Sequence, residues 1–382
     1  MLDNGFNYVC KQLNSKGFKA YAVGGVVRDN LLGKKCQDID ITTNAMPQEI
    51  IDTFPKERKI LTGLKHGTVG VVVNHVVYEV TTFRQDGNYL DNRHPESVSF
   101  IKTIDGDLAR RDFTINAIAY NQEEGYVDLF GGIQDLENKI IKCVGNPDER
   151  FKEDALRILR AMRFSSQLSF KIEQGTKQAI LNNKHLLKNI SVERILVELK
   201  KLLLGDNVVS VMLEYKDVIA EIIPEIKPTF NFDQKSIYHR YDVYEHTVRA
   251  IAHSEKDELI RLVLLLHDIA KPQCFVLDKK GRGHCPGHPK VSADIAFNVL
   301  KRLRVDKDTL FTSLKLIENH DNFIREDKVA VKELLRQLGE KNFLLLLKVQ
   351  KADALAHTIK TSNQRRKHLN ILRELFREIK RN

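Results

Sequence analysis

The sequence predicts an α+β head followed by an all-helical remainder, and three observations carry that prediction. Up to about Lys142, short strand-like runs alternate with short helical ones. From Asp148 onward glycine and proline thin out and apolar residues recur every three or four positions, as in Ala155-Leu156-Ile158-Leu159-Met162 and Ile190-Ile195-Leu196-Leu199-Leu202. Pro224-Glu225-Ile226-Lys227-Pro228 then interrupts the helical pattern before a histidine-rich stretch. The expected parts are a head over residues 1–142, a helical segment over 143–228 and a second helical body over 229–382.

The head opens with Lys19-Ala20-Tyr21-Ala22-Val23, a short apolar run that stops at Gly24-Gly25, after which helical periodicity begins at Val26. A glycine pair at a strand-to-helix turn lets backbone N–H groups face phosphate oxygens, and Arg28 adds a forked donor. In Asp38-Ile39-Asp40-Ile41 the carboxylates stand two apart. On a strand such residues share a face, so Asp38 and Asp40 can hold divalent ions while Ile39 and Ile41 face the core. A surface turn with solvated acids is the alternative. Gly67 to Val73 and Val76 to Phe83, joined by Asn74-His75, form a hairpin candidate. Glu79 on its second strand is either a third acid or a strand-surface charge. The polar run Phe83 to Pro95 holds both charge signs and a glycine, as a loop would.

Further along, Leu108-Ala109-Arg110-Arg111-Asp112-Phe113-Thr114-Ile115-Asn116-Ala117 packs cations, an acid and an amide around apolar residues. Asp128 to Leu136 contains a second glycine pair, Gly131-Gly132, where the chain can turn sharply. Glu153-Asp154-Ala155-Leu156-Arg157-Ile158-Leu159-Arg160-Ala161-Met162-Arg163-Phe164 follows as a helix. Asp154 and Arg157, three apart, are expected to be neighbours on one helical face, either as an intrahelical ion pair or as a hydrogen-bonding edge for a ligand.

The last part carries His246 in a helix, His267-Asp268 closing the apolar run Leu259 to Leu266, then His288, His320 and Asp353. Imidazoles and carboxylates drawn from several helices suit transition-metal chemistry on phosphoesters. A zinc knuckle from Cys274, His284, Cys285 and His288 is a rival whose spacing matches no standard structural zinc site.

The order GG, Arg, then Asp-x-Asp resembles the signature of the DNA polymerase β-like nucleotidyltransferases. In the form GGVVRDNLLGKKCQDIDITTNA it is similar to the class II tRNA nucleotidyltransferase and bacterial poly(A) polymerase family, and the later segments follow in family order. The resemblance implies a polymerase β-like head with a mixed sheet, an all-helical neck and body, and addition of the tRNA 3′ CCA from CTP and ATP with Mg²⁺ at Asp38 and Asp40. It gives Gly24, Gly25, Arg28 and Arg111 to phosphate and Asp112 and Asn116 to the sugar. Asp154 and Arg157 become the base-reading pair, because a carboxylate accepts from the exocyclic amine of C or A while a guanidinium donates to the ring nitrogen. Arg160 and Arg163 would lie further around the helix, on phosphates or stacked. The run Phe83 to Pro95 resembles the flexible loop of members that add the terminal adenosine. An A-adding enzyme or a poly(A) polymerase is the neighbouring reading.

The histidine-rich part resembles the HD phosphohydrolases, implying a site for Ni²⁺, Mn²⁺ or Co²⁺ on His246, His267, Asp268, His288, His320 and Asp353. An HD phosphohydrolase with an RNA- or nucleotide-binding head is the reading from another class.

Composition agrees with a polyanionic partner. The 382 residues carry a formal net charge of +10. From Lys360 to Asn382 eight Lys/Arg stand against two Glu, a net +6, while Leu369, Leu372, Leu375, Phe376 and Ile379 recur at helical spacing. An amphipathic basic helix is expected there, its basic face on phosphates or merely solvated. Five scattered cysteines argue against a disulfide framework and for a reducing compartment. No apolar run approaches the roughly 20 residues of a spanning helix and no signal-peptide core opens the chain, so a cytoplasmic protein without membrane attachment is expected. Oligomeric state is not legible.

Overall fold

The computed structural model describes residues 3–34, 39–87 and 98–381. Asp38, with residues 35–37, and most of the polar loop before Val98 lie outside the described residues. The chain divides into two compact units, one made of Met1–Ala161 with Phe170–Asn189, the other of Met162–Ser169 with Ile190–Asn382.

The first unit is built on a seven-stranded mixed sheet. Its strands are β1 (Ala20–Val23), β2 (Ile39–Thr43), β3 (Arg58–Ile60), β4 (Thr68–Val73) and β5 (Val76–Thr82). After a short hairpin, β6 (Arg84–Asp86) with β7 (Val98–Phe100), the chain adds β8 (Ile118–Asn121) and β9 (Gly125–Asp128). Their spatial order is β3-β4-β5-β2-β1-β8-β9. Within this sheet β2 and β5 are the one parallel pair among the described residues, with Asp40 directly beside Glu79. The expected hairpin is present as β4 and β5, and Asn74 and His75 take left-handed conformations with φ 50° and 65°. Two successive positive-φ residues give the turn twist that closes a two-residue hairpin without splaying its strands.

Helices α1 (Asn4–Ser15), α2 (Gly25–Leu31), α3 (Pro47–Thr53), α4 (Ile104–Ala109), α5 (Gly132–Glu137) and α6 (Pro147–Glu153) complete the head, with α8 (Gln174–Asn183) packed on α6. Tyr21, Val23, Phe83, Leu108 and Ala119 form a core cluster against β1 and β8. Helix starts follow local chemistry. Asp3 accepts from the Phe6 amide at the head of α1, and Asn146, just before Pro147, accepts from the Asp148 amide at the head of α6. Gly132 cannot be replaced, because a Cβ there would stand 2.2 Å from the Thr114 carbonyl oxygen.

Helix α7 (Leu156–Leu168) begins in the first unit and runs into the second, which is helical apart from one small hairpin, Val276–Leu277 with Gly283–His284. The second unit contains α9 (Val192–Leu203), α10 (Val208–Glu214) and α11 (Lys216–Ile222). The proline-rich break is a 3-10 turn over Pro224–Thr229. Then come α12 (Val243–His253), α13 (Glu258–Leu266), α14 (His288–Arg302), α15 (Lys307–Asn319), α16 (Lys328–Leu338), α17 (Glu340–Leu355) and α18 (Ile359–Arg381). Aspartates 242, 257, 306 and 327 each accept an amide three residues on, at the starts of α12, α13, α15 and α16. Leu262, Val263, Leu264, Leu265 and Leu266 are all buried, so the second half of α13 is enclosed on every side.

The tail is the amphipathic helix α18, and its Leu369 and Leu372 are buried in the body. Cys10, Cys143, Cys274 and Cys285 are free thiols. Among the described residues no helix is long and apolar enough to cross a membrane.

Candidate functional site

In the head, the sheet brings the distant motifs to one place. The strand alternation of β2 buries Ile39 and Ile41 and exposes Asp40, whose in-register neighbour Glu79 is also exposed. Two carboxylates side by side on one strand face are a donor set that fits a hard divalent cation. Thr42, two residues on and therefore on the same face, lies 3.4 Å from Asp107. Asp107 is fully buried and acts as a hub, accepting from Arg110 at 2.7 Å and from Arg111 at 3.0 Å. Burial alone would raise its pKa, but Arg111 and Arg110 hold it below the ordinary carboxylate range. Arg111 is thereby aimed at the glycine turn. Gly24 takes φ 74°, and a Cβ there would stand 3.1 Å from the Arg111 guanidinium. A side chain at this position would be strained and would crowd the cation.

Arg28, in α2, is buried and donates to Asn116 at 2.8 Å and to Asp29 at 2.8 Å. Asn116 passes the connection on, donating to Asp112 at 3.0 Å, and Asp112 meets Arg160 of α7 at 2.6 Å. A continuous polar chain therefore runs Arg28, Asn116, Asp112, Arg160. Burial works against the charge of Asp112, yet Arg160 and the Asn116 amide hold its carboxyl well below the usual range.

Asp154 and Arg157 differ from the helical-face expectation. Asp154 ends α6 in extended backbone, φ −136° and ψ 101°, and its carboxylate accepts from the Leu156 amide while its carbonyl accepts from Arg157. The physical reason is that an aspartate side chain competes for backbone amides and so starts the next helix instead of continuing the last. Arg157 is buried and braced, donating to Glu153 at 2.7 Å and to the Arg110 carbonyl at 2.9 Å. Arg163 falls in the second unit, where it pairs with Glu198 at 2.5 Å and lies over the Phe164 ring.

The body gathers all six expected ligands. His246, His267, Asp268 and Asp353 form one group, and Asp268, His288 and His320 another, the ligand atoms of each lying within 4.8 Å of one another. Asp268 belongs to both. Its Oδ2 faces His267 Nε2 at 3.2 Å and His246 Nε2 at 3.6 Å, whereas its Oδ1 faces His288 Nε2 at 3.2 Å and His320 Nε2 at 3.4 Å. Asp353 Oδ1 meets His246 Nε2 at 2.8 Å.

The rings are oriented from behind. Nδ1 of His246, His267, His288 and His320 each lies within hydrogen-bonding distance of a backbone carbonyl, those of Ala356, Leu264, Cys285 and Ile317. Such an arrangement fixes the tautomer that turns an Nε2 lone pair inward. Asp268 Oδ1 and His267 Nε2 are buried without a well-formed hydrogen bond, while Asp268 Oδ2 is met by Lys271 at 2.7 Å. This donor set fits divalent transition metals. Burial works against a charge on His267, and Asp268 and Asp353 outweigh it, raising its pKa above the ordinary imidazole range while no cation is present. Cys285 contributes its carbonyl to this arrangement by orienting His288, which is drawn to Asp268 and His320 instead of to a cysteine knuckle.

Several residues here escaped the sequence reading. Asp107 and Glu153 are charges whose role depends on arginines they meet only in the fold. Lys271 is buried against Asp268 at 2.7 Å, and its spacing of three from Asp268 was the available signal. His239 and His357 sit beside His246, with ring centroids 5.3 and 4.9 Å away.

Fold and sites together define a two-part protein, a polymerase β-like head and a helical body with a buried histidine–aspartate cluster. Sequence models of three families match in that order: poly A polymerase head domain over residues 20–142, probable RNA and SrmB-binding site of polymerase A over 169–230, and HD domain over 237–358. In that order the three matches resemble the tRNA nucleotidyltransferases and bacterial poly(A) polymerases that carry an HD domain. It is 52% identical over 197 residues to the CCA-adding enzyme of Geobacillus thermodenitrificans, covering 52% of this chain and 48% of that one. It is 49% identical over 209 residues to that of Ligilactobacillus salivarius, covering 55% and 51%. These matches span about half the length of the relatives. The crystal structure of the Bacillus stearothermophilus CCA-adding enzyme in complex with CTP superposes with a TM-score of 0.70 at 29% identity, covering 97% of this chain and 83% of that one. The Thermotoga maritima CCA-adding enzyme complexed with tRNA shares the fold, with a TM-score of 0.63 at 20% identity, covering 97% and 83%.

Proposed function

We propose that this chain is a template-independent tRNA nucleotidyltransferase that adds or repairs the 3′-terminal CCA from CTP and ATP. In this reading residues 1–142 are the head, 143–228 the nucleotide-reading and RNA-binding neck, and 229–382 the body, acting in the cytoplasm. The observation that carries it is the convergence, in one unit, of the Asp40–Glu79 pair, the Gly24 turn with Arg111, and the chain from Arg28 to Arg160. The similar proteins named as CCA-adding enzymes, one of them in complex with CTP, support the choice of reaction and nucleotides.

The tRNA 3′ oxygen attacks the α-phosphorus, the bond to the β-phosphate breaks, and pyrophosphate leaves. Asp38 and Asp40 would hold Mg²⁺, which would supply activation of the hydroxyl and charge neutralisation of the leaving group. Gly24, Gly25, Arg28 and Arg111 hold the triphosphate, and Asp112 and Asn116 the sugar. Asp154 and Arg157 select C and A over U and G. Incubation with tRNAs lacking none, one, two or all three terminal nucleotides, with each NTP alone and combined, tests this. CCA restoration is expected, with Asp40→Asn inactive yet folded. A product of A residues only, or of long poly(A), would overturn it.

The body adds a metal-dependent phosphohydrolase. The six residues would hold Ni²⁺, Mn²⁺ or Co²⁺, which would activate a water for addition to phosphorus with cleavage of one ester bond, as in opening a 2′,3′-cyclic nucleotide to a monoester. The shared Asp268 between two inward-facing histidine pairs favours this reading.

A further inference from the structure

The histidine–aspartate cluster opens into a cleft whose wall includes Arg365, from the tail helix α18 and beyond the stretch matched as an HD domain. Arg365 donates to Asp353 at 2.8 Å and to Asp321 at 3.3 Å. Its guanidinium thus bridges the acid that faces His246 and the acid next to His320. On the other side of the same arginine lies a second recess, and His320, Asp321 and Arg365 line both.

That second recess has a different character. Phe323 is 78% exposed, although its ring stacks on His368 of α18 at a centroid distance of 4.8 Å and 13° between planes. His368 is held in turn by Glu326 at 2.8 Å. A large aromatic ring kept flat and open to solvent by a braced partner is a stacking platform. Asn322 and Gln350 line the same recess, where the Gln350 side-chain amide donates to the Asn322 backbone carbonyl at 3.1 Å and so stands beside residue 323. Amides can both donate to and accept from a base edge.

We propose that this recess is a nucleobase subsite of the body. The centre takes nucleoside phosphates, with the phosphate between Arg365 and the metal ligands and the base stacked on Phe323. The inference rests on the phosphohydrolase reading for its chemistry, but the binding it implies stands apart from turnover. A small aryl phosphodiester would use the phosphate side alone. A cyclic nucleotide would use both sides. Arg365 acts as the divider, paired with Asp353 and directed at the phosphate, so α18 belongs to this site as well as to the basic surface.

The test compares 2′,3′-cyclic AMP with bis(p-nitrophenyl) phosphate on the full chain loaded with Ni²⁺. Phe323→Ala is expected to lower kcat/KM for the cyclic nucleotide about tenfold, through KM, as loss of one base–aromatic stack would. The aryl ester should be unaffected, and Phe323→Tyr should restore the preference. In parallel, equilibrium binding of adenosine 2′-monophosphate with Ni²⁺ and without Mg²⁺ should weaken about tenfold in Phe323→Ala. Equal losses on both esters, or no change in the ratio and none in binding, would overturn the subsite. If the wild type hydrolyses neither ester yet binds the nucleotide through Phe323, the phosphohydrolase reading falls and the nucleobase subsite stands.

Discussion

Arg160 and Asp112 meet at 2.6 Å, joining α7 to the Arg-Arg-Asp motif that precedes it by nearly fifty residues. Asp112 is buried and Arg160 a third exposed, so the pair is asymmetric: losing the cation strands the acid, whereas losing the acid returns a cation to water. Arg160→Ala should therefore cost the head about 1–3 kcal/mol, less than a fully buried pair because Arg160 is partly screened. The pH dependence has a definite sign. A carboxyl held low in the folded state stabilises above its unfolded pKa, near 4, and that stability is lost as pH falls through the folded value. Urea midpoints should fall on acidification for the wild type and much less for Asp112→Asn.

Selectivity should reside at the junction of α6 and α7. Asp154→Ala or Arg157→Ala is expected to relax discrimination against UTP and GTP about tenfold or more, the scale of one mispaired buried hydrogen-bonding group. Glu153→Gln should do so more weakly, because Glu153 only braces Arg157. Misincorporation measured on tRNA lacking its last two nucleotides distinguishes these outcomes, and unchanged selectivity in both alanine variants would leave Arg157 a purely structural arginine.

In the body, His246→Asn should reduce the Ni²⁺ bound per chain and abolish phosphoester hydrolysis while sparing nucleotide addition. Asp268→Ala is a harsher change, since Lys271 would keep a buried charge with its 2.7 Å partner removed. A loss of roughly 3–5 kcal/mol of stability is expected. Metal content and thermal unfolding, read together, separate loss of a ligand from loss of the fold.

The basic face of α18 is best tested without deleting the helix, because Leu369 and Leu372 anchor it and Arg365 serves Asp353. Arg366, Lys367 and Arg377 are exposed. Changing all three to Gln should reduce the slope of log tRNA affinity against log salt by about 0.7–0.9 for each phosphate no longer neutralised. An unchanged slope would make this face a solvated surface.

Much of this architecture was legible because its determinants are local. Asn74-His75 between alternating apolar runs specified the β4–β5 hairpin, and Gly24-Gly25 after an apolar run specified the strand-to-helix turn. The buried histidine–aspartate cluster was recognisable because His267 and Asp268 are adjacent in sequence. The supporting charges were not. Asp107 looks like any helix acid until Thr42, Arg110 and Arg111 are folded around it, and Arg365 is one of many basic residues in the tail until α18 lies beside Asp353. The break of helix at Asp154 was hidden because its neighbours all favour helix and only the side-chain bond to the Leu156 amide decides against it.

The inward histidines have a thermal and mechanical consequence. Three of the four rings are pinned to a carbonyl three residues earlier in their own segment, His267 to Leu264, His288 to Cys285 and His320 to Ile317. Their aim is thus inherited from local backbone geometry and does not wait on an ion to arrange it. A zinc finger collapses when a chelator strips it, because its metal and its fold are one equilibrium. This body should instead survive chelation with its helices and melting cooperativity intact, losing only turnover, and should regain it on adding metal without a refolding lag.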